Sequence, residues 1–362
     1  MTNSLRLVNF RNYVDTKLEL APKTVIVGPN GIGKSNIIEA LFLLSTGRSW
    51  RTNRENELIR FGATFARVVA EPIELMILGG ERTKKQAKVH GKSSRLLSLL
   101  GVSPSVLFSP NSLSLVDGSP ALRRQFIDIL LSQVSSIYAH NLLEYQRVVR
   151  QRNELLHQIN AGNESDSSLT MWDEMLVTSS LPVLQARQAM AEQMRPALQK
   201  WYSKITPDGS DRLGVEYLSS VEKHHTGDIG SIETLFHDRL RDRKVAEIQA
   251  KRTLIGPHRD DFCVLLNKHP IGQYGSRGQA RGAVVALKMF EFEYISQQSG
   301  TVPTLLFDDV FSEFDPYRRA AVADLADGAQ IIFTATDAGQ VVNMPKGVEV
   351  IDLVKVTKGE HG

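Results

Sequence analysis

The octapeptide GPNGIGKS at Gly28–Ser35 constrains this chain more than any other stretch. A glycine-rich loop ending in Lys-Ser needs a strand before it and a helix after it, so that backbone N–H groups converge on an anion where a Cβ would collide. Both flanks fit. Thr24–Val27 is a compact β-branched run, and Ile37, Ile38, Leu41 and Leu44 recur at helical spacing up to a glycine stop at Gly47. From average residue usage such a match arises by accident in about one chain of this length in a hundred, and the flanks lower that further. The pattern is that of a nucleotide phosphate loop. Gly28, Pro29, Asn30, Gly31, Ile32 and Gly33 wrap the phosphates, Lys34 reaches the β- and γ-phosphates, and the Ser35 hydroxyl ligates Mg²⁺. Asn36 follows at the start of the helix, whose positive end adds to the anion site.

A second stretch near the other end of the chain completes the chemistry. TLLFDD at Thr304–Asp309 reads as a buried strand from whose end Asp308 emerges to hold Mg²⁺, commonly through water. Asp309 is the candidate to position or polarise an attacking water. Two carboxylates after an apolar strand are often only a capped turn, and it is the phosphate loop that gives them a metal-binding meaning. A third motif, SRGQ at Ser276–Gln279, precedes a segment in which Val284, Leu287, Phe290 and Tyr294 share one helical face. Ser276 and Gly278, with Gln279, then sit at a helix N-terminus suited to a γ-phosphate. The chain's own phosphate loop already accounts for its phosphates, so a second copy of the chain would supply the one bound here. ATP and Mg²⁺ are the implied cofactors, and a head-to-tail dimer is the implied assembly.

The 362 residues carry 42% hydrophobic and 23% charged side chains, enough for a sizeable core in one large or two smaller domains. A net charge of +3 does not identify a partner by itself. The single cysteine, Cys263, excludes an intrachain disulfide and a multi-cysteine zinc site, which fits a cytoplasmic location. The N-terminus shows no signal-peptide core, and the longest apolar run, Ile37–Leu44, contains a Glu and is far short of a membrane span, so no membrane partner is expected. Strand patterns at Leu5–Leu7, Leu18–Leu20 and Phe65–Val89 precede a change of character near Ala121. Ala121–Ile159, Leu169–Trp201 and Ile232–Lys251 read as helices, and strand patterns return at Phe262–Leu266, Thr304–Phe307 and Ile331–Phe333. The expected architecture is an α/β domain built from both chain ends, 1–118 and 252–362, with a helical arm at 119–251 inserted between them.

With these motifs the chain resembles the RecF family, related to the SMC-type and ABC-type ATPases. The resemblance runs over nearly the whole length and includes NFRNY at Asn9–Tyr13, GRSWRT at Gly47–Thr52, LRRQFID at Leu122–Asp128, QRNELL at Gln151–Leu156 and IGPHRDDF at Ile255–Phe262. It implies an ABC/SMC-type P-loop ATPase head with an inserted arm. It also implies an ATP-dependent dimer that binds duplex, gapped or junction DNA and helps RecO and RecR load RecA. By position SEFD at Ser312–Asp315 corresponds to a loop crossing the dimer interface. Arg11 and Asn12 match the nucleotide edge of related heads, with an ordinary surface role as the alternative. Thr336 stands where transporter-type ATPases often carry a phosphate-sensing His, and His258 and Arg259 are either family-specific site residues or a structural turn. The chain departs from the family at Asn111 and Ser112, where acidic residues are usual, and at Asp309, where related ATPases carry Glu. A weak, DNA-stimulated ATPase used as a switch is therefore expected.

DNA contact is expected along Arg82–Arg95, where Lys84, Lys85, Lys88, Lys92 and Arg95 meet no acid after Glu81. Lesser clusters stand at Arg123–Arg124 and at Arg147, Arg150 and Arg152. Phosphate contacts of this kind give affinity without sequence information and weaken with salt. Solvated charged faces are the plain alternative. Two other functions compete. A transporter nucleotide subunit is disfavoured by the long helical insertion before SRGQ, and a non-hydrolysing adaptor by the intact Lys34, Ser35, Asp308 and Gln279.

Overall fold

A computed structural model describes residues 2–206, 209–221, 229–310, 314, 315, 317, 318, 322, 328–336 and 347–359. In chain order the strands and helices begin with β1 (Ser4–Phe10), β2 (Tyr13–Glu19), β3 (Lys23–Val27), α1 (Lys34–Thr46), β4 (Phe65–Ala70), β5 (Ile73–Leu78), β6 (Lys84–Val89), β7 (Lys92–Ser94) and β8 (Ser105–Phe108). Four helices follow a one-turn α2 (Ser114–Asp117): α3 (Pro120–Val134), α4 (Ser136–Asn160), α5 (Leu169–Ile205) and, after β9 (Leu213–Leu218), α6 (Ile229–Ala250). The chain closes with β10 (Asp261–Leu266), β11 (His269–Pro270), α7 (Ile271–Tyr274), α8 (Arg277–Ser299), β12 (Thr304–Phe307), β13 (Ile331–Ala335), β14 (Glu349–Asp352) and α9 (Leu353–Gly359).

Two sheets enclose α1. The first is antiparallel, ordered β2-β1-β4-β5-β6-β7, and the second is parallel, ordered β14-β3-β13-β12-β8. A parallel sheet is buried on both faces, which is why its strands are near-continuous apolar runs. Side chains alternate across it. Ile26, Leu107, Leu306 and Ile332 join Ile37, Ile38, Leu41 and Leu44 of α1 and the inner face of the antiparallel sheet in one core. Val25, Val106, Phe307 and Phe333 face the other way, into a core shared with α8 and the helices α3 to α6. α1 is buried almost all round, so its sequence is apolar on every side, and its one carboxylate, Glu39, is fully buried.

The two ends of α1 use glycine for different reasons. Gly47 ends the helix in the left-handed conformation (φ 68°), its N–H bonding the Leu43 carbonyl at 2.8 Å. At Gly33 (φ 117°) a Cβ would lie 2.7 Å from the Asn12 side chain and 2.8 Å from the Tyr13 hydroxyl, so only glycine lets the β1–β2 turn lie against the start of α1.

The helices between the two chain ends are cross-braced by buried ions. Arg152, 1% exposed, binds Glu247 of α6 at 2.6 Å and Asp173 of α5 at 2.8 Å. Arg187 of α5 binds Asp128 of α3 at 2.7 Å and the Pro257 carbonyl at 2.6 Å. β9, within 119–251, pairs antiparallel with β10, so that stretch of the chain also supplies a strand next to IGPHRDDF. No described helix is long and apolar enough to cross a membrane.

Candidate nucleotide-binding site

Parallel strands put their carboxyl ends on one edge, and that edge is the ligand side of an open α/β sheet. β3 ends into the phosphate loop, β12 ends into Asp308, and β13 lies between them. The motifs at opposite ends of the sequence therefore meet. Ser35 Oγ donates to Asp308 Oδ1 at 2.7 Å. Lys34, 4% exposed, donates to the Gly28 and Pro29 carbonyls at 2.8 and 3.3 Å, which holds its ammonium inside the loop. Pro29, Asn30 and Gly31 are exposed at the tip, and Ile32 packs against Gly28. Asn36 donates to Asn12 Oδ1 at 2.8 Å, Asn12 donates to the Ile32 carbonyl at 2.8 Å, and the Tyr13 hydroxyl donates to the Gly33 carbonyl at 3.1 Å. Thus NFRNY shapes the loop from outside.

β13 contributes a residue that the sequence reading missed. Thr334 Oγ1 accepts the Asp309 N–H at 2.9 Å and lies 3.2 Å from Asp308 Oδ1. It fixes both acidic residues, with Asp309 in the left-handed region at φ 54°. Burial pushes the Asp308 carboxyl above the usual carboxylate range, offset by the Ser35 hydrogen bond. A protein set of one hydroxyl and one carboxylate suits Mg²⁺, which favours oxygen ligands and completes its shell with waters and phosphate oxygens. Among the described residues no cluster of three or more His, Cys, Asp or Glu offers an alternative metal site.

Arg11, matched to the nucleotide edge with an ordinary surface role as the alternative, has partners within the chain. Its guanidinium is engaged with buried Glu39 at 2.9 and 2.7 Å and with the Glu57 carbonyl at 2.9 Å. Glu39 also accepts from Ser49 at 2.5 Å, and Arg51 bonds Asn36 Oδ1 at 2.6 Å. GRSWRT and Arg11 thus converge on one carboxylate in α1. The visible signal was the lone Glu inside the apolar run Ile37–Leu44.

Ser276 is the N-cap of α8. Its Oγ accepts the Gln279 N–H at 3.2 Å, while Gln279 Oε1 accepts the Ser276 N–H at 2.9 Å. The other end of the Gln279 amide donates to Asp211 Oδ2 at 2.8 Å, so this side chain is a bracket rather than a projecting ligand. Gly278 follows the cap, and its carbonyl accepts from Arg318, which also pairs with Asp315 at 2.6 Å. Ser312 and Glu313 of the SEFD loop lie outside the described residues. Asn111 and Ser112 belong to a short turn after β8 in which Ser112 Oγ accepts the Ser109 N–H at 3.0 Å. Thr336 directly follows β13.

The remaining candidates separate by burial. Lys84, Lys88, Lys92 and Arg95 are exposed on the β6–β7 hairpin. Lys85 departs from the expected DNA face. Alternation turns it inward, where it bonds the Gly47 carbonyl at 2.7 Å and pairs with Glu55. Arg123 is clamped to Asp261 at 2.7 Å, and Arg124 bonds the Asp260 carbonyl at 2.7 Å. IGPHRDDF resolves as a structural hub. His258 Nδ1 meets the Tyr145 hydroxyl at 2.5 Å and its Nε2 meets the Thr253 carbonyl at 3.1 Å, while burial lowers its pKa to about 4. Arg259 donates to the same Thr253 carbonyl, and buried Asp260 accepts from Tyr217 and Ser220.

Comparison with known proteins agrees with this geometry. Residues 1–360 match the RecF/RecN/SMC N terminal domain family. The DNA replication and repair protein RecF of Lachnoclostridium phytofermentans is 34% identical over 367 residues, covering 99% of this chain and 98% of that protein. RecF of Lysinibacillus sphaericus is 34% identical over 92% of this chain and 91% of its own. A solved structure described as the recombination mediator protein RecF-ATPrS in the RecFOR pathway superposes with a TM-score of 0.87 at 28% identity, covering 98% of this chain and 96% of that one. A phosphate loop, a carboxylate from a neighbouring parallel strand and an N-capped SRGQ helix, with full-length similarity of this kind, make the chain a member of the RecF family.

Proposed function

We propose that this chain is an ATP-gated DNA clamp of recombinational gap repair. The observation that carries the nucleotide part is the 2.7 Å contact between Ser35 and Asp308, which brings a magnesium-type donor pair to the mouth of the phosphate loop. In this reading the Gly28–Asn36 backbone and Lys34 hold the phosphates, and Ser35 and Asp308 hold Mg²⁺. The metal supplies charge neutralisation on the phosphates. Asp309, its backbone fixed by Thr334, orients the attacking water, and a side chain shorter than Glu favours slow turnover. Ser276 and the first N–H groups of α8 receive the nucleotide of a second copy, because a helix start is a ready anion site. The segments 1–118 and 252–362 act as the head and 119–251 as the arm.

Closure of two heads would align two β6–β7 segments, whose exposed Lys84, Lys92 and Arg95, with Lys88 beside Glu74, would meet the phosphates of duplex or single-strand/duplex junctions. The RecFOR pathway named for the similar solved structure supports RecO and RecR as partners, and loading of RecA is the task that the family resemblance implies for them. The test is fluorescence anisotropy of a labelled single-strand/duplex junction with Mg²⁺ and ATP, with ADP, or without nucleotide, at two salt concentrations. Binding that requires ATP and falls with salt is expected. Binding indifferent to nucleotide would overturn the gate, and binding indifferent to salt would overturn the phosphate contacts. Lys34→Ala is expected to lose nucleotide, and Ser276→Arg to retain nucleotide but fail to dimerise.

A further inference from the structure

The SRGQ helix start is held from the side by the segment that follows the long helix α5. Gln279 Nε2 donates to Asp211 Oδ2 at 2.8 Å, and Asp211 Oδ1 accepts from Asn267 Nδ2 at 2.9 Å. Asp211 lies in the stretch that leads from α5 into β9, and Gln199 of α5 fixes that stretch by accepting the Leu213 N–H at 2.7 Å. Three further contacts bind α5 to α8. Trp201 and Lys200 of α5 donate to Glu293 of α8 at 2.8 and 2.7 Å. Tyr202 lies so close to Gly282 that a Cβ there would stand 3.0 Å from its ring. The C-terminal end of α5 and the helix α8 thus move together or lose these bonds.

Within α8 the Gln279 amide is used at both ends. Its oxygen closes the capping box on the Ser276 N–H, and its nitrogen is held by Asp211. The N–H groups of Arg277 and Gly278 have no intrahelical acceptor, as in any first turn, and are the donors left for an incoming phosphate. Rotation of Gln279 would disturb the Ser276 cap and the aim of those donors together.

We propose that Asp211 is the positioning residue of the signature, locking Ser276–Gln279 in the orientation that receives a second copy's nucleotide and tying that orientation to the helical arm. This rests on the composite-site reading above. Anything that shifts α5, such as DNA or protein bound on the arm, would then alter dimer closure through one hydrogen bond.

The test reverses that bond's polarity. Gln279→Glu keeps the capping box, since Glu is a standard residue there, but sets two carboxylates against each other. Asp211→Asn added to it restores a donor–acceptor pair, with the introduced amide now donating. Dimer formation by the full chain is followed by light scattering against ATPγS concentration with Mg²⁺, alongside thermal melts. Loss of a charge-assisted hydrogen bond predicts that Gln279→Glu needs roughly tenfold more nucleotide to dimerise, with the double variant returning near wild type. A general folding defect would persist in the double variant, as would loss of a direct Gln279–nucleotide contact, so absence of rescue overturns the proposal. An unimpaired Gln279→Glu overturns it as well, while leaving the composite site standing. A wild-type chain that stays monomeric with ATPγS overturns the composite site and this inference with it.

Discussion

The Ser35 hydroxyl and the Asp308 carboxylate, 273 positions apart, are joined by a 2.7 Å hydrogen bond. Asp308 is mostly buried, and burial raises its pKa. A raised carboxyl favours folding below its unfolded pKa, and that contribution is lost as pH rises through the folded value. Asp308→Asn keeps an acceptor for Ser35 and removes the buried charge. The nucleotide-free variant should therefore melt no lower than wild type at pH 8, and its advantage should shrink on acidification. The stabilisation that Mg²⁺ and ATP give wild type should be lost. A pH series of thermal melts checks both, and a clearly lower melting point for the nucleotide-free variant at pH 8 would contradict the assignment.

Arg11 and Glu39 form a buried bidentate pair, with side-chain exposures of 18% and 0%. Removing Arg11 leaves the fully buried Glu39 with only the Ser49 hydrogen bond and a 3.4 Å contact to Arg51, at a cost of about 3 kcal/mol. Arg11→Ala should show that loss in urea unfolding, and Arg11→Met with Glu39→Leu should recover much of it. An Arg11→Ala protein of wild-type stability but weakened nucleotide affinity would return Arg11 to the nucleotide edge.

Basic residues of the β6–β7 segment should behave oppositely according to burial. Lys85→Ala loses its bond to Gly47 and its pairing with Glu55, and should cost about 1–2 kcal/mol of stability. Lys92→Ala and Arg95→Ala should leave stability alone and each reduce the slope of log affinity against log salt by about 1. Equal effects of Lys85 and Lys92 on DNA binding would refute the division made by burial.

His258 has its pKa lowered from 6.5 to about 4, chiefly by burial. Its folded value lies below the unfolded one, so its contribution is complete above about pH 6.5 and is lost as pH falls through about 4, a span of roughly 3 kcal/mol. His258→Asn should lack that term. The stability gap between wild type and variant should narrow steadily between pH 7 and pH 5 in chemical denaturation. A constant gap would mean that the imidazole does not titrate as its surroundings require.

Much of the nucleotide site was legible in the primary structure because its parts are local. A phosphate loop is a run of consecutive residues whose glycines, lysine and serine have fixed duties, and the strand before it and helix after it announce themselves by periodicity. The N-cap at Ser276 was legible for the same reason, since a capping box spans four positions. Continuous apolar runs likewise anticipated β3, β12 and β13 as buried strands, but not which of the two cores each side chain enters.

What the tertiary structure alone decided is which charged side chains are spent on one another. Arg11 and Glu39, Lys85 and Glu55, Arg123 and Asp261, and Gln279 and Asp211 are each a meeting of residues distant in sequence, and neither member carries a mark of its partner. Before folding, Arg11, Lys85, Arg123 and Gln279 read as candidates for ligand or DNA. Thr334 was hidden in the same way, one more β-branched residue in a buried strand until β13 was set between β3 and β12. Sequence periodicity records which face a residue turns inward, because burial of apolar surface is a property of each residue by itself. Pairing of charges is a property of two residues at once, and only the packed chain brings the second one within reach.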